Sequence, residues 1–157
     1  MKKTFLKKKS TLKRSPVTSR KKVRAQGRAT PVKRKTKSLS KYKKEFDAVF
    51  SKFIRQRDNH TCYTCGIVME PTKSQNGHFV PRQYLSLRWD ERNCHAQCYA
   101  CNVLYNGQPS VYAIKLTEQY GPDILREFEA KRKELTKLRE DFYIENISKY
   151  KALLEKE

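Results

Sequence analysis

No acidic residue occurs in the first 44 positions of this 157-residue chain, the first being Glu45. Nineteen of the 36 lysines and arginines lie in that stretch, which leaves 17 basic against 16 acidic side chains in the remainder. The net charge of +20 therefore belongs to an arm, and the rest is nearly neutral. A block so one-sided repels itself, lacks the apolar residues of a core and is attracted to polyanions, nucleic acid first. Also missing is an apolar run behind Met1-Lys2-Lys3-Thr4-Phe5-Leu6, where three lysines follow at once, so no sorting signal is expected. With 37% hydrophobic and 33% charged residues, composition argues against a membrane span or an apolar fibre. The expectation is a soluble, intracellular protein of one modest domain with tails.

Four segments are expected: a disordered basic arm over 1–40, an amphipathic helix over 41–58, a metal-stapled core over 59–110 and a helical region over 111–157. Ser38 or Ser40 could cap the first helix, whose Tyr42, Phe46, Val49, Phe50, Phe53 and Ile54 recur at three- and four-residue steps. A helix over 110–120 should end at Gly121-Pro122-Asp123 and give way to one long helix. Along that helix Leu125, Phe128, Leu135, Leu138, Phe142, Ile147, Tyr150 and Leu154 form a stripe that packs on the domain or makes a homodimer seam.

Five cysteines in a chain without an export signal point to metal ligation or free thiols. Cys62-Tyr63-Thr64-Cys65-Gly66 and Cys98-Tyr99-Ala100-Cys101 are two C-x2-C pairs, which together supply the four thiolates of a tetrahedral structural Zn²⁺ site. The 32 residues between Cys65 and Cys98 exceed the roughly 15–20 of a compact zinc ribbon, so an insert lies between the knuckles. A redox reading of the pairs lacks a surrounding βαβ pattern, and Cys94 reads as a small buried residue.

The insert holds His78-Phe79-Val80-Pro81 and Asn93, and Asn102 follows the second knuckle. Such groups suit metal-assisted phosphodiester cleavage: an imidazole takes a proton from water, an amide carbonyl orients it, and a side-chain donor holds a divalent ion at the phosphate. In that order between zinc knuckles, they resemble the HNH, or ββα-metal, endonucleases. The chain is closer still to the NinG (Rap) recombination proteins of lambdoid phages, in Phe53 to Asp58, Cys62 to Gly66, Gly77-His78-Phe79, and Leu87 to Asn93 running on to Asn102. That resemblance covers about residues 45–130.

The resemblance implies an α+β, zinc-stapled ββα-metal domain with flanking helices. It further implies a Mg²⁺- or Mn²⁺-dependent structure-specific endonuclease on branched DNA of recombination, in the host cytoplasm if phage-encoded. His78 would activate water, Asn93 would orient His78, and Asn102 with His95 would hold the ion, although His95 could instead orient His78. Many HNH enzymes carry an acidic metal ligand where this chain has Gly77. Arg82, Arg88 and Arg92 around the site, with Arg55 and Arg57 on the first helix, could contact phosphates, or pair with Asp90 or Glu91. Tyr84 and Trp89 could stack on an unpaired base or pack in the core, and His60 reads as a surface histidine. The rival is a non-catalytic zinc-binding nucleic-acid module, or a recombination accessory factor that has lost cleavage.

Overall fold

The computed structural model describes residues 38–155, so the expected basic arm lies outside the described residues except at its last positions. Helix α1 (Leu39–Arg57) buries Phe46, Phe50, Phe53 and Ile54, the stripe that the three- and four-residue spacing marks. Strands β1 (Gln75–His78) and β2 (Cys94–Gln97) pair antiparallel, with Gln75 opposite Gln97, Asn76 opposite Ala96, Gly77 opposite His95 and His78 opposite Cys94. Three helices follow: α2 (Pro109–Tyr120), α3 (Ile124–Arg132) and α4 (Glu140–Leu154). The described part is thus α+β. Among the described residues no helix is long and apolar enough to cross a membrane.

The small sheet lies between two cores. On one side α1 and α4 enclose Phe46, Phe50, Phe53, Ile54, Cys94, Tyr143, Ile147 and Tyr150. The other core joins Val80 and Leu87 of the β1–β2 connection to Tyr112, Leu116, Ile124 and Phe128 of α2 and α3. Directly opposite residues of an antiparallel pair share a face, and side chains alternate along each strand. His78, Cys94, Asn76 and Ala96 therefore face α1. Gly77, His95, Gln75 and Gln97 face the α2 side, where the Tyr112 hydroxyl donates to the Gly77 carbonyl at 3.4 Å.

The expected single C-terminal helix is corrected to two. Its stripe serves both cores, Phe128 in one and Tyr143, Ile147 and Tyr150 in the other, and a straight rod cannot lie along both. Between α3 and α4 the chain extends and leaves Leu135 99% exposed. The Ser86 hydroxyl donates at 2.7 Å to the Lys131 carbonyl, which also accepts from the Glu134 amide at 3.0 Å, and ties the end of α3 to the β1–β2 connection. The residues proposed for a homodimer seam, Ile147 and Tyr150 among them, are packed against α1 of the same chain.

Candidate functional site

The first knuckle is a tight hairpin. The Cys62 amide donates to the Ile67 carbonyl at 2.8 Å, and the Gly66 amide to the Cys62 carbonyl at 2.8 Å. Gly66 has φ of 79°, a left-handed conformation that glycine adopts without a Cβ clash. The second knuckle opens the π-helical turn Ala100–Leu104, and the Cys101 amide donates to Cys98 Sγ at 3.4 Å. Thus the Sγ atoms of Cys62, Cys65, Cys98 and Cys101 lie within 4.8 Å of one another. Cys65 and Cys98 are 3.9 Å apart, too far for a disulfide and close to the edge of about 3.8 Å expected for a tetrahedron with Zn–S near 2.3 Å.

Proton chemistry supports the same fit. Burial works to raise the Cys62 thiol, but hydrogen bonds from Thr64 and from the backbone of Cys65 and Cys98 outweigh it and bring it down to about 6. Cys65 is pushed up to about 12, by burial and then by the neighbouring sulfurs of Cys62 and Cys101. One thiolate forms readily and opposes the next, so a full set of four requires a cation among them. These four sulfurs fit a metal ion such as zinc. Cys94 stands apart, fully buried against α1, where burial raises its thiol well above the usual range.

A cleft of about 110 Å³ lies on the α1 face of the sheet, lined by Asp47, Phe50, Ser51, Asn76, His78, Arg82, Arg88 and Trp89. His78 Nε2 lies 3.1 Å from the Arg88 carbonyl oxygen. A carbonyl only accepts, so Nε2 carries the proton and Nδ1 the lone pair. Burial lowers the His78 pKa; the Arg88 carbonyl raises it, and the charges of Arg88 and Arg82 lower it further. The neutral ring is therefore the form present at neutral pH.

Asn93 does not touch His78, contrary to its expected orienting role. Its Oδ1 accepts from the Val80 amide at 2.7 Å, while Nδ2 donates to the carbonyls of Val80 and Leu87, each at 3.0 Å. These bonds fasten the two ends of the β1–β2 connection, and so fix the segment whose Arg88 carbonyl holds His78.

His95 and Asn102 are likewise corrected, for neither lines the cleft. Because Gly77 is opposite His95 in the register, His95 points to the face away from His78. It stacks on Tyr63 at 3.8 Å, with Nδ1 3.0 Å from the Tyr112 hydroxyl and Nε2 3.4 Å from that of Tyr120. Both nitrogens are engaged and the ring is buried, which lowers its pKa to about 4. Asn102 Nδ2 donates to Gln75 Oε1 at 2.7 Å. Among the described residues these two do not converge on the cleft, and the carboxylate that lines it belongs to Asp47.

Four of the five arginines expected at phosphates are tied within the chain. Arg88 grips the Asp47 carboxylate through Nε and Nη2 at 2.8 and 2.6 Å. Arg57 binds Asp58 at 2.7 Å and the carbonyls of Glu91 and Cys94, each at 2.9 Å. Arg55 donates to the Pro71 and Ser74 carbonyls, and Arg92 to Glu127 at 2.8 Å and to Asp90. Arg82 alone is exposed with no side-chain hydrogen bond or ion pair among the described residues. Trp89 stacks on Phe46 at 4.7 Å and Tyr84 packs on the second core, so both serve packing. The residue that sequence reasoning overlooked is Asp47, flanking the apolar stripe of α1; an acid beside Phe46 and three residues before Phe50 was the available signal.

The family model described as Bacteriophage Lambda NinG protein matches residues 1–157. Protein ninG of Salmonella phage P22 is 31% identical over 98 residues, covering 62% of this chain and 48% of that protein. Its counterpart in Escherichia phage 933W is 30% identical over 95 residues, 60% of this chain and 47% of the relative. For Escherichia phage lambda the identity is 28% over 95 residues, with the same shares of 60% and 47%. The chain thus spans about half the length of the curated relatives it matches. No solved structure matches it significantly. With the family model running over all 157 residues, the chain belongs to the NinG family of phage proteins.

Proposed function

We propose that this chain is an HNH-type DNA endonuclease acting on branched recombination intermediates, with zinc as a structural metal and Mg²⁺ or Mn²⁺ as the activating ion. The observation that carries the reading is His78 itself: Nε2 is held by the Arg88 carbonyl, and the ring lines a cleft beside Arg82 with its pKa lowered by burial. A general base needs a fixed lone pair and a pKa near or below working pH, and this ring has both. Arg82, exposed beside it, suits a phosphate oxygen. Water deprotonated at His78 would attack phosphorus and break one of its P–O ester bonds, the departing oxygen taking a proton from solvent, with Arg82 countering the charge that develops. The ion would add Lewis acidity, but Asn102 and His95 do not converge on the cleft, so no step is assigned to it.

Purified full-length protein with verified zinc content, incubated with flap, D-loop, four-way-junction and linear DNA with and without Mg²⁺ or Mn²⁺, tests this directly. Cleavage of a branched substrate that is lost in His78→Ala supports it. A second reading has its own support: the one carboxylate of the cleft is neutralised by Arg88, so a DNA-binding accessory factor could retain this fold. Tight binding of branched DNA without cleavage under any divalent ion establishes that alternative.

A further inference from the structure

The carbonyl that holds His78 belongs to Arg88, and the side chain of the same residue is clamped to α1. Arg88 is 9% exposed, and its guanidinium spends three nitrogens inside the chain: Nε and Nη2 on the two Asp47 oxygens, and Nη1 on the Arg82 carbonyl at 2.6 Å. Trp89 Nε1 adds a bond to Asp47 Oδ1 at 3.0 Å. Asp47 thus takes three hydrogen bonds from two consecutive residues of the β1–β2 connection, at the point where its backbone meets the imidazole. A planar guanidinium held by a carboxylate fork has one orientation, whereas a single bond would leave it free to swing. We propose that Asp47 is a positioning residue for His78, acting from α1 through Arg88 to fix the tautomer and orientation of the imidazole.

The inference rests on the reading of His78 as the general base, but its physical content concerns the ring alone. The charged groups facing that ring are Asp47 from α1 and Arg82 and Arg88 from the connection; Cys94, opposite in the register, is a neutral thiol. Removing the Asp47 charge has two effects of the same sign. It loosens the Arg88 carbonyl, whose contact stabilises the protonated ring, and it leaves the Arg88 cation unbalanced, whose charge destabilises the protonated ring. Both lower the His78 pKa.

The chain has three histidines, so ¹⁵N-histidine labelling of the zinc-loaded full-length protein resolves each ring by NMR. The parent should show His78 protonated at Nε2 only, well above its titration midpoint. In Asp47→Asn the midpoint should fall by about half a pH unit or more and the Nε2–H tautomer should lose its dominance. On a branched substrate kcat should fall about tenfold with KM nearly unchanged, because the lost contact serves the base and not the DNA. Asp47→Glu, which keeps the carboxylate, should recover most of both signals. Unchanged tautomer and midpoint in folded Asp47→Asn overturns the inference. Should that variant not hold zinc, Arg88→Lys, which keeps the charge but loses the fork, answers the same question, and an unaltered His78 there overturns it equally. A ring that responds in a parent cutting no DNA supports the positioning role while rejecting the nuclease; a cutting parent with an unresponsive ring does the reverse.

Discussion

An imidazole anchored through one nitrogen offers the other for chemistry, and the side chains around His78 can be sorted by which nitrogen they serve. His78→Ala should lower cleavage by about 10²–10⁴-fold while zinc content and DNA affinity persist, as measured by initial rates and filter binding. Under the proposed mechanism a base works deprotonated, and with the His78 pKa depressed the rate should climb with pH only below about 6.5 and then stay level. Asn93→Ala differs in kind. It strands the buried Val80 amide and two carbonyls, at about 1–3 kcal/mol for each group left unsatisfied, so urea denaturation should register it before any assay of cutting does. His95 gives a pH signature. Its folded pKa of about 4 lies below the unfolded 6.5, so its contribution is complete above pH 6.5 and is lost as pH falls towards 4, by about 3 kcal/mol in full. The thermal midpoint should decline between pH 7 and 5, and decline less in His95→Phe, with zinc content followed at each pH.

At the scale of elements, the two-stranded sheet decides which face each residue serves. Gly77 shows how tightly: a Cβ built there would lie 2.0 Å from Gln97 Oε1 and 2.7 Å from its Cδ. Gln97 cannot withdraw easily, since its Nε2 bonds Thr64 Oγ1 at 3.1 Å and the Gly107 carbonyl at 3.0 Å. Gly77→Ala should therefore cost about 1–3 kcal/mol by overpacking, and adding Gln97→Ala should return part of it, as read from paired denaturation curves. The same packing leaves no room for a side chain at 77, which would point to the α2 face and into Gln97. Sequence alone marked α1, the knuckles and the ends of α2, because apolar periodicity, thiolate spacing and Gly-Pro punctuation are local signals. It put His95 and His78 at one site, and could not see that they lie on opposite faces of the sheet, which depends on strand register. It read the C-terminal stripe as one helix because periodicity does not reveal that two cores compete for it. Asp47 escaped because its partners are 41 and 42 residues away.

For the whole molecule, the arm and the metal govern different properties. The 37 residues before Ser38 carry 16 of the 36 lysines and arginines and no acid, so removing them should flatten the slope of log affinity against log salt while the remainder keeps its zinc. Chelation should act in the opposite way, unfolding the region around the sheet; loss of secondary structure and of stoichiometric zinc together would be the readout, with Cys98→Ser mimicking it and Cys94→Ser retaining the metal. The knuckles also have a consequence for the order of folding. Cys65 and Cys98 are 33 positions apart, and both strands lie between them, so the ion closes a loop that contains His78, Asn93 and Arg88. Closing a flexible loop of that length costs about 3–4 kcal/mol of chain entropy, which cannot be repaid by a four-residue strand pair alone. During synthesis the first cysteine pair emerges well before its partners, and the His78 cleft cannot take shape until the second pair has appeared and captured the metal. With zinc as the ion of the knuckles, its supply at that moment should set the pace at which folded molecules accumulate, as pulse-chase folding in zinc-depleted medium would read.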